Sequence, residues 1–262
     1  MLEIKQIPHK EISDYLRVND VVNLFPLYVC QQKPDAVSPV VVDDSKIVGT
    51  VITGKECGIQ RISTFWLVAN NRDVALLLLS HIKNRYGTEI SVNFPLQYYD
   101  LAHQTFPTRT ITIDHLYVLI PSKFQSAGSK FGNHQSPYQI TLLTPTLLKK
   151  VTIPEELNPL IGNPNDLEEV MPFYGMIQEN QIVAIAEASV DIGTCAAIQQ
   201  VYTLKQYRGQ GFGKSMVSTV SEILIRQNKL PVYWVSEQNI SSIQMVQKLG
   251  FELLIRLGCM EA

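Results

Sequence analysis

One order of apolar runs and turns occurs twice along this chain of 262 residues, and an internal repeat constrains a fold more than any single motif. In the C-terminal half, Tyr174–Ile177, a turn at Glu179-Asn180 and Ile182–Val190 read as a hairpin. Ala196–Leu204 is the next strand. From Phe212 the apolar positions Phe212, Met216, Val220, Ile223 and Leu224 recur at helical spacing. Val232–Val235 is a compact strand. Asn239 or Ser241 caps a helix carrying Ile243, Val246 and Leu249, Gly250 closes it, and Glu252–Leu257 is a final strand. In the N-terminal half, Val40–Asp43, a turn at Asp44-Ser45 and Ile47–Thr53 form the hairpin. Ser63–Val68 is the strand, and Asn70 or Asn71 caps a helix ending at Gly87. Glu89–Phe94, a short helix over Leu96–Gln104 and the alternating runs Thr110–Asp114 and Leu116–Ile120 follow. Each half therefore predicts hairpin, strand, helix, strand, short helix, strand. The fold class expected is α/β, as two tandem units, each a mixed, mostly antiparallel sheet flanked by helices. The boundaries expected are 1–125 for the first domain, a polar, glycine-rich linker at 126–137, and 138–262 for the second.

Bulk properties narrow the function. A formal net charge of −2 exerts no general pull on nucleic acid or anionic membrane. No apolar run is long enough to span a bilayer, and Met1–Lys5 lacks the long apolar core expected of a signal peptide. Cys30, Cys57, Cys195 and Cys259 have no metal-type spacing, so a reduced, cytoplasmic protein with no metal site is expected.

The halves differ where strand meets helix. The second has Arg208-Gly209-Gln210-Gly211-Phe212-Gly213-Lys214-Ser215 there, a turn that presents the free N–H groups and positive dipole end of a helix to a phosphate. The first has Ala69-Asn70-Asn71-Arg72-Asp73, without glycine and with an added negative charge.

The run Val201–Lys214, with Arg208, Gly211 and Gly213 in the pattern Arg/Gln-x-x-Gly-x-Gly/Ala, resembles motif A of the GNAT superfamily of acyl-CoA-dependent N-acyltransferases. Asn239-Ile240-Ser241-Ser242 followed by Lys248-Leu249-Gly250-Phe251 is similar to that family's asparagine-led helix and Leu-Gly-Phe ending. The likeness covers residues 138–262, and the first half looks like a degenerate copy. The resemblance implies acetyl-CoA as co-substrate. Backbone N–H groups of Gly209, Gln210, Gly211, Phe212 and Gly213 would hold its pyrophosphate, with charge from Arg208 and Lys214 and a hydroxyl from Ser215. The pantetheine arm would lie between the strands ending at Thr203 and Trp234, paired with backbone near Val201, Tyr202 and Thr203. An N–H near Thr203 would polarise the thioester carbonyl. Asn239 and Ser242 would touch the lower arm, though Asn239 is equally a simple helix cap.

The family's usual acid–base residues are replaced. Val246 stands where many members carry a tyrosine, and Trp234 where the ribosomal-protein acetyltransferases carry a glutamate. All five histidines (His9, His81, His103, His115, His134) precede the second copy. Glu187, inside an apolar strand, is the first candidate base if it lines a cleft, and a solvated strand face is the other reading. Tyr202 is a candidate proton donor or a core tyrosine.

The expectation is an N-acetyltransferase acting on a primary amine, of a small molecule, in a ternary complex. The alternatives are a protein N-acetyltransferase and a non-catalytic acyl-CoA-binding or interaction module. No nucleic acid or membrane partner is expected. Three roles are open to the first copy: burying an apolar face, shaping the acceptor cleft, or forming the surface of a homodimer.

Overall fold

In the computed structural model both hairpin turns have the geometry their sequences suggest. Asp44-Ser45 and Glu179-Asn180 each place two successive residues at positive φ (44° and 68°, 47° and 67°). That is the type I′ arrangement, whose twist matches two antiparallel strands. The structure describes residues 2–54, 64–127, 138–161 and 172–261. Most of the expected linker and the expected strand start at Ser63 lie outside the described residues.

Two units separate by their internal contacts. One comprises residues 1–116, 235–238 and 253–262, the other 117–234 and 239–252. The first runs β1 (Glu3–Pro8), α1 (His9–Leu16), α2 (Leu24–Gln32), β2 (Val37–Asp43), β3 (Lys46–Thr53), β4 (Phe65–Ala69), α3 (Arg72–Tyr86), β5 (Val92–Pro95), α4 (Tyr99–Thr105) and β6 (Ile111–Leu119). The same succession follows as β7 (Tyr138–Leu142), α5 (Pro145–Leu148), α6 (Asn158–Ile161), β8 (Phe173–Gln178), β9 (Gln181–Ser189), β10 (Cys195–Thr203), α7 (Phe212–Arg226), β11 (Leu230–Ser236), α8 (Ile240–Gln247) and β12 (Phe251–Met260). Helices α3 and α7 are both 15 residues long. The repeat thus extends further than the periodicity predicts, since a strand and two short helices precede each hairpin.

Strand pairing repeats too. β1 pairs antiparallel with β2, β2 with β3 and β3 with β4, as β7 pairs with β8, β8 with β9 and β9 with β10. Among the described strands, β4–β5 and β10–β11 pair parallel. Parallel neighbours need a crossover, which α3 and α7 supply. Three strands depart from the expected boundaries, since β6 from Tyr117 clusters with the second unit and the ends of β11 and β12 with the first. The end of β12 was expected in the second domain, but Leu257–Met260 pair antiparallel with Val92–Pro95 of β5 and cluster with the first unit.

Helix α3 buries a face shifted from the expected one of Val74, Leu77, Leu78, His81 and Ile82, with Leu77 and His81 only half-buried. Val74, Ala75, Leu78, Leu79 and Ile82 are buried and pack in one cluster with Val41, Val51, Leu67 and Phe94. In the second unit α7 buries Phe212, Met216, Val220 and Leu224 at four-residue intervals. A second cluster, with Leu143, Leu148, Leu157, Phe173 and Ile185, joins β8 and β9 to the segments preceding them.

Candidate active site

The decisive local feature of the second unit is that β10 loses a neighbour partway along. Its parallel ladder to β11 runs from Cys195↔Leu230 to Ile198↔Tyr233. On its other side the antiparallel ladder to β9 passes Gln199↔Glu187, slips, and resumes at Tyr202↔Ile185 and Thr203↔Ala184. Gln200, inside the slip, has φ 48°. This bulge bends and twists β10 beyond its last pair with β11. The N–H of Leu204 donates to the Val183 carbonyl at 3.0 Å. In an antiparallel ladder the preceding Thr203↔Ala184 pair is then the non-hydrogen-bonded kind, so the N–H and C=O of Thr203 point away from β9. They face the opening past the Ile198–Tyr233 pair.

At that end α7 begins. Gly209 and Gly211 have φ 76° and 90°, and a Cβ built on either meets nothing within 4 Å. Gly211 is the N-cap in the left-handed conformation and has no side chain with which to cap the helix. The first intrahelical bond of the new turn is from Ser215 N to Gly211 O, at 3.0 Å. The N–H groups of Phe212, Gly213 and Lys214 therefore lack intrahelical acceptors and point at the space before the helix, with the dipole's positive end behind them. Gly213 differs from its neighbours. A Cβ there would make ordinary contacts with Thr203 Oγ1 (3.6 Å) and Met245 Sδ (3.7 Å). The Phe212 ring is buried between Tyr207 (5.7 Å, stacked) and Tyr138 (4.7 Å, edge-on), so only its backbone is presented at the helix start. Ser215 is buried at the first turn, Lys214 is half-buried, and exposed Gln210 donates to the Gln206 carbonyl at 3.2 Å.

Arg208 reaches back along the strand. Its Nε donates to the Thr203 carbonyl at 3.0 Å, and its guanidinium lies 5.3 Å from the centre of the Tyr202 ring. The Tyr202 hydroxyl in turn donates to Glu156 Oε2 at 2.7 Å, and that bond is the main reason its phenol titrates above the ordinary tyrosine range. Glu156 sits in the single 3-10 turn Glu155–Leu157. No sequence pattern marked it, because the contact joins positions 46 residues apart.

Glu187 is 4% exposed, which removes the solvated-face reading. Its register partners are Gln199 on β10 and Phe173 on β8. Strand alternation places it on the same face as Ile185 and Tyr202. Gln199 accepts a hydrogen bond from the Ser189 hydroxyl at 2.9 Å, so Glu187 lies in a polar island within an apolar face. Val201, beside the bulge, is half-buried.

Asn239, not Ser241, caps α8. Its Oδ1 accepts from Ser242 N at 3.2 Å and from the Ser241 hydroxyl at 3.0 Å. Val246 is wholly buried, so no proton donor projects from that position. Gly250 has φ 93°, and a Cβ there would stand 2.0 Å from the Lys123 carbonyl oxygen, so the Leu-Gly-Phe ending is fixed by both backbone conformation and space.

Residues 173–257 match the sequence model of the family described as FR47-like protein. No curated protein matches the chain. Among solved structures, a Drosophila protein aligns over 99% of this chain and 98% of its own at 11% identity, with a TM-score of 0.71. A tandem GNAT protein from the clavulanic acid biosynthesis pathway aligns over 99% and 98% at 13% identity, with a TM-score of 0.62. A GCN5-related N-acetyltransferase from Sphaerobacter thermophilus aligns over 99% and 94% at 11%, with a TM-score of 0.60. This chain has the tandem GNAT fold.

The first copy differs from the second at the corresponding strand end. Its parallel ladder is also short, Phe65↔Val92 and Trp66↔Asn93. Yet β4 pairs with β3 from Gly49↔Ala69 to Thr53↔Phe65 without a register slip. The Asn71 side chain caps α3 by accepting from Val74 N at 3.0 Å, occupying an N–H that a phosphate would need. The Tyr98 hydroxyl donates to the Ala69 carbonyl at 2.8 Å, at the strand position where the second copy carries its Thr203 carbonyl. Arg72, the first residue of α3, forms a two-point pair with Asp100 (3.1 and 2.5 Å). Asn71, the Ala69 carbonyl and Arg72, at this end of the first copy, thus each have a partner within the chain.

Proposed function

We propose that the second GNAT copy is an acyl-CoA-dependent N-acetyltransferase, transferring acetyl from acetyl-CoA to a primary amine of a small molecule in a ternary complex. The observation that carries this reading is the coincidence of two open features. An uncapped helix N-terminus behind Gly211 lies at the end of a strand whose Thr203 backbone faces away from its remaining ladder. The first suits a pyrophosphate and the second an amide-bearing arm. Together they fit the two chemically distinct parts of a coenzyme A thioester, which supplies the acyl group. Arg208, Gly209, Gln210, Gly211, Phe212, Gly213, Lys214 and Ser215 form the phosphate end in this reading, and Val201, Tyr202 and Thr203 the arm. Asn239 and Ser242 bound the lower arm.

An amine nitrogen attacking the thioester carbonyl forms a C–N bond, loses a proton, and breaks the C–S bond. The sulfur then takes a proton. The Thr203 N–H, aimed into the opening, would stabilise negative charge developing on the carbonyl oxygen. Glu187, buried and on the Tyr202 face, would take the amine proton. Tyr202, held as a neutral phenol by Glu156, would give a proton to sulfur. The buried Val246 favours a second reading, a domain that holds acyl-CoA without turning it over, because one position for a proton donor is closed.

Calorimetric titration of acetyl-CoA into the full chain and into Gly211→Asp tests the seat. Binding by the folded wild type that is lost in the variant supports it, and no binding by the folded wild type refutes it. Release of CoA thiol faster than hydrolysis, with any amine, separates the enzyme from the binding domain.

A further inference from the structure

The Thr203 carbonyl, the acceptor an amide-bearing arm would use, is already taken by Arg208 Nε at 3.0 Å. We propose that Arg208 is a latch on the arm-binding strand, positioned by Tyr202 and Glu156, and that a ligand's phosphates must draw it off before the arm can pair with the strand. The inference rests on the acyl-CoA reading of this site.

Three contacts make the latch. The guanidinium bonds the carbonyl, its central carbon lies 5.3 Å from the Tyr202 ring centre, and the Tyr202 hydroxyl is held by Glu156 at 2.7 Å. An arginine over an aromatic face, with one N–H committed to a carbonyl, has a defined resting place. The alternative place is adjacent in sequence. Gly209 and Gly211 follow, both at positive φ with open space around them, leading into the exposed N–H groups of α7. A diphosphate seated there attracts the guanidinium more strongly than a neutral carbonyl does, because charge-assisted bonds are roughly twice as strong as neutral ones. Moving Arg208 to the phosphates uncovers the Thr203 carbonyl. Phosphate binding and arm binding are therefore coupled through one side chain, and the phosphate-bearing half of the ligand docks first.

This assigns Glu156 a positioning role that neither motif nor spacing indicates. It also predicts effects of opposite sign in one variant. In Arg208→Ala the arm's acceptor is free but the phosphate's partner is gone. Pantetheine, which carries the arm and no phosphate, should bind about three- to tenfold more tightly than to wild type, the worth of one released hydrogen bond. Coenzyme A gains the same freed acceptor but loses a charge-assisted contact of roughly twice its worth, so it should bind about three- to tenfold more weakly. Glu156→Gln keeps Arg208 and weakens only its support, so pantetheine should bind more tightly with no loss of coenzyme A affinity.

The experiment is NMR titration of the full chain with pantetheine and calorimetry with coenzyme A, on wild type and both variants. Opposite shifts in Arg208→Ala, with tighter pantetheine binding in Glu156→Gln, support the latch. Pantetheine affinity unchanged or lowered in either folded variant, while wild type still binds coenzyme A, overturns the latch and leaves the acyl-CoA reading standing. Failure of wild type to bind coenzyme A overturns both.

Discussion

Gly211 and Gly213 look interchangeable in the sequence, and the structure says they are not. Gly211 sits at φ 90° and ψ 6°. A side chain in that left-handed region costs roughly 1–2 kcal/mol. Nothing lies within 4 Å of a Cβ placed there, so the cost of Gly211→Ala is backbone strain without a clash. At roughly 2–4 °C per kcal/mol for a unit of this size, Tm should fall by about 2–8 °C. Gly213 lies inside the first turn of α7 at an ordinary φ, and a Cβ there would touch its nearest neighbours at 3.6 and 3.7 Å. Gly213→Ala should therefore leave stability unchanged or raise it by up to about 1 kcal/mol, because alanine loses less backbone entropy in a helix than glycine. Gly211→Asn should recover part of the loss, since asparagine tolerates the left-handed region. Differential scanning calorimetry of the three variants reads this directly. Equal shifts for the two alanine variants, or a larger loss at Gly213, would refute the assignment of the turn. Acetyl-CoA affinity adds a second axis: strain at Gly211 misaims the N–H groups that follow, so affinity should drop at least about tenfold in Gly211→Ala and much less in Gly213→Ala.

Two further predictions follow from buried groups. Glu187→Gln should lower turnover by well over tenfold at neutral pH while leaving acetyl-CoA affinity intact; unchanged kcat removes Glu187 from the mechanism. Tyr15, whose hydroxyl donates to Asn70 at 2.8 Å, has its pKa pushed up to about 12, chiefly by burial. Its stabilising contribution is full below the ordinary tyrosine pKa of 10.0 and is lost as pH rises toward about 12. Tyr15→Phe should flatten the alkaline fall in stability between those values, as measured by urea unfolding against pH, and an unchanged slope rejects the assignment.

The first copy shares the scaffold of the second. Its α3 has the same length as α7, and its strands follow the same order. What differs is the chemistry at one strand end: a capping asparagine instead of glycine, a tyrosine on the strand carbonyl, and an arginine–aspartate pair. The exposed pair contributes little to stability. Its relevance is that Arg72 is committed to a partner within the chain.

Local grammar was enough for the sequence to determine the elements and their duplication. Residues willing to take positive φ set the two hairpin turns. Four-residue spacing set the face of α7, and Gly211 marked the uncapped helix start, because turn, period and cap are properties of contiguous residues. The strand and paired short helices ahead of each hairpin were not legible, since segments of four to nine residues carry too few periods to stand out. Tertiary structure alone decided the rest. It buried Glu187, and it placed Glu156 against Tyr202. It laid Arg208 on the Thr203 carbonyl and paired the end of β12 with β5. All but the Arg208 contact, which spans five residues, depend on strand register or on a contact between distant positions. A one-residue slip in register would reverse the face of every side chain involved while leaving the sequence pattern unchanged.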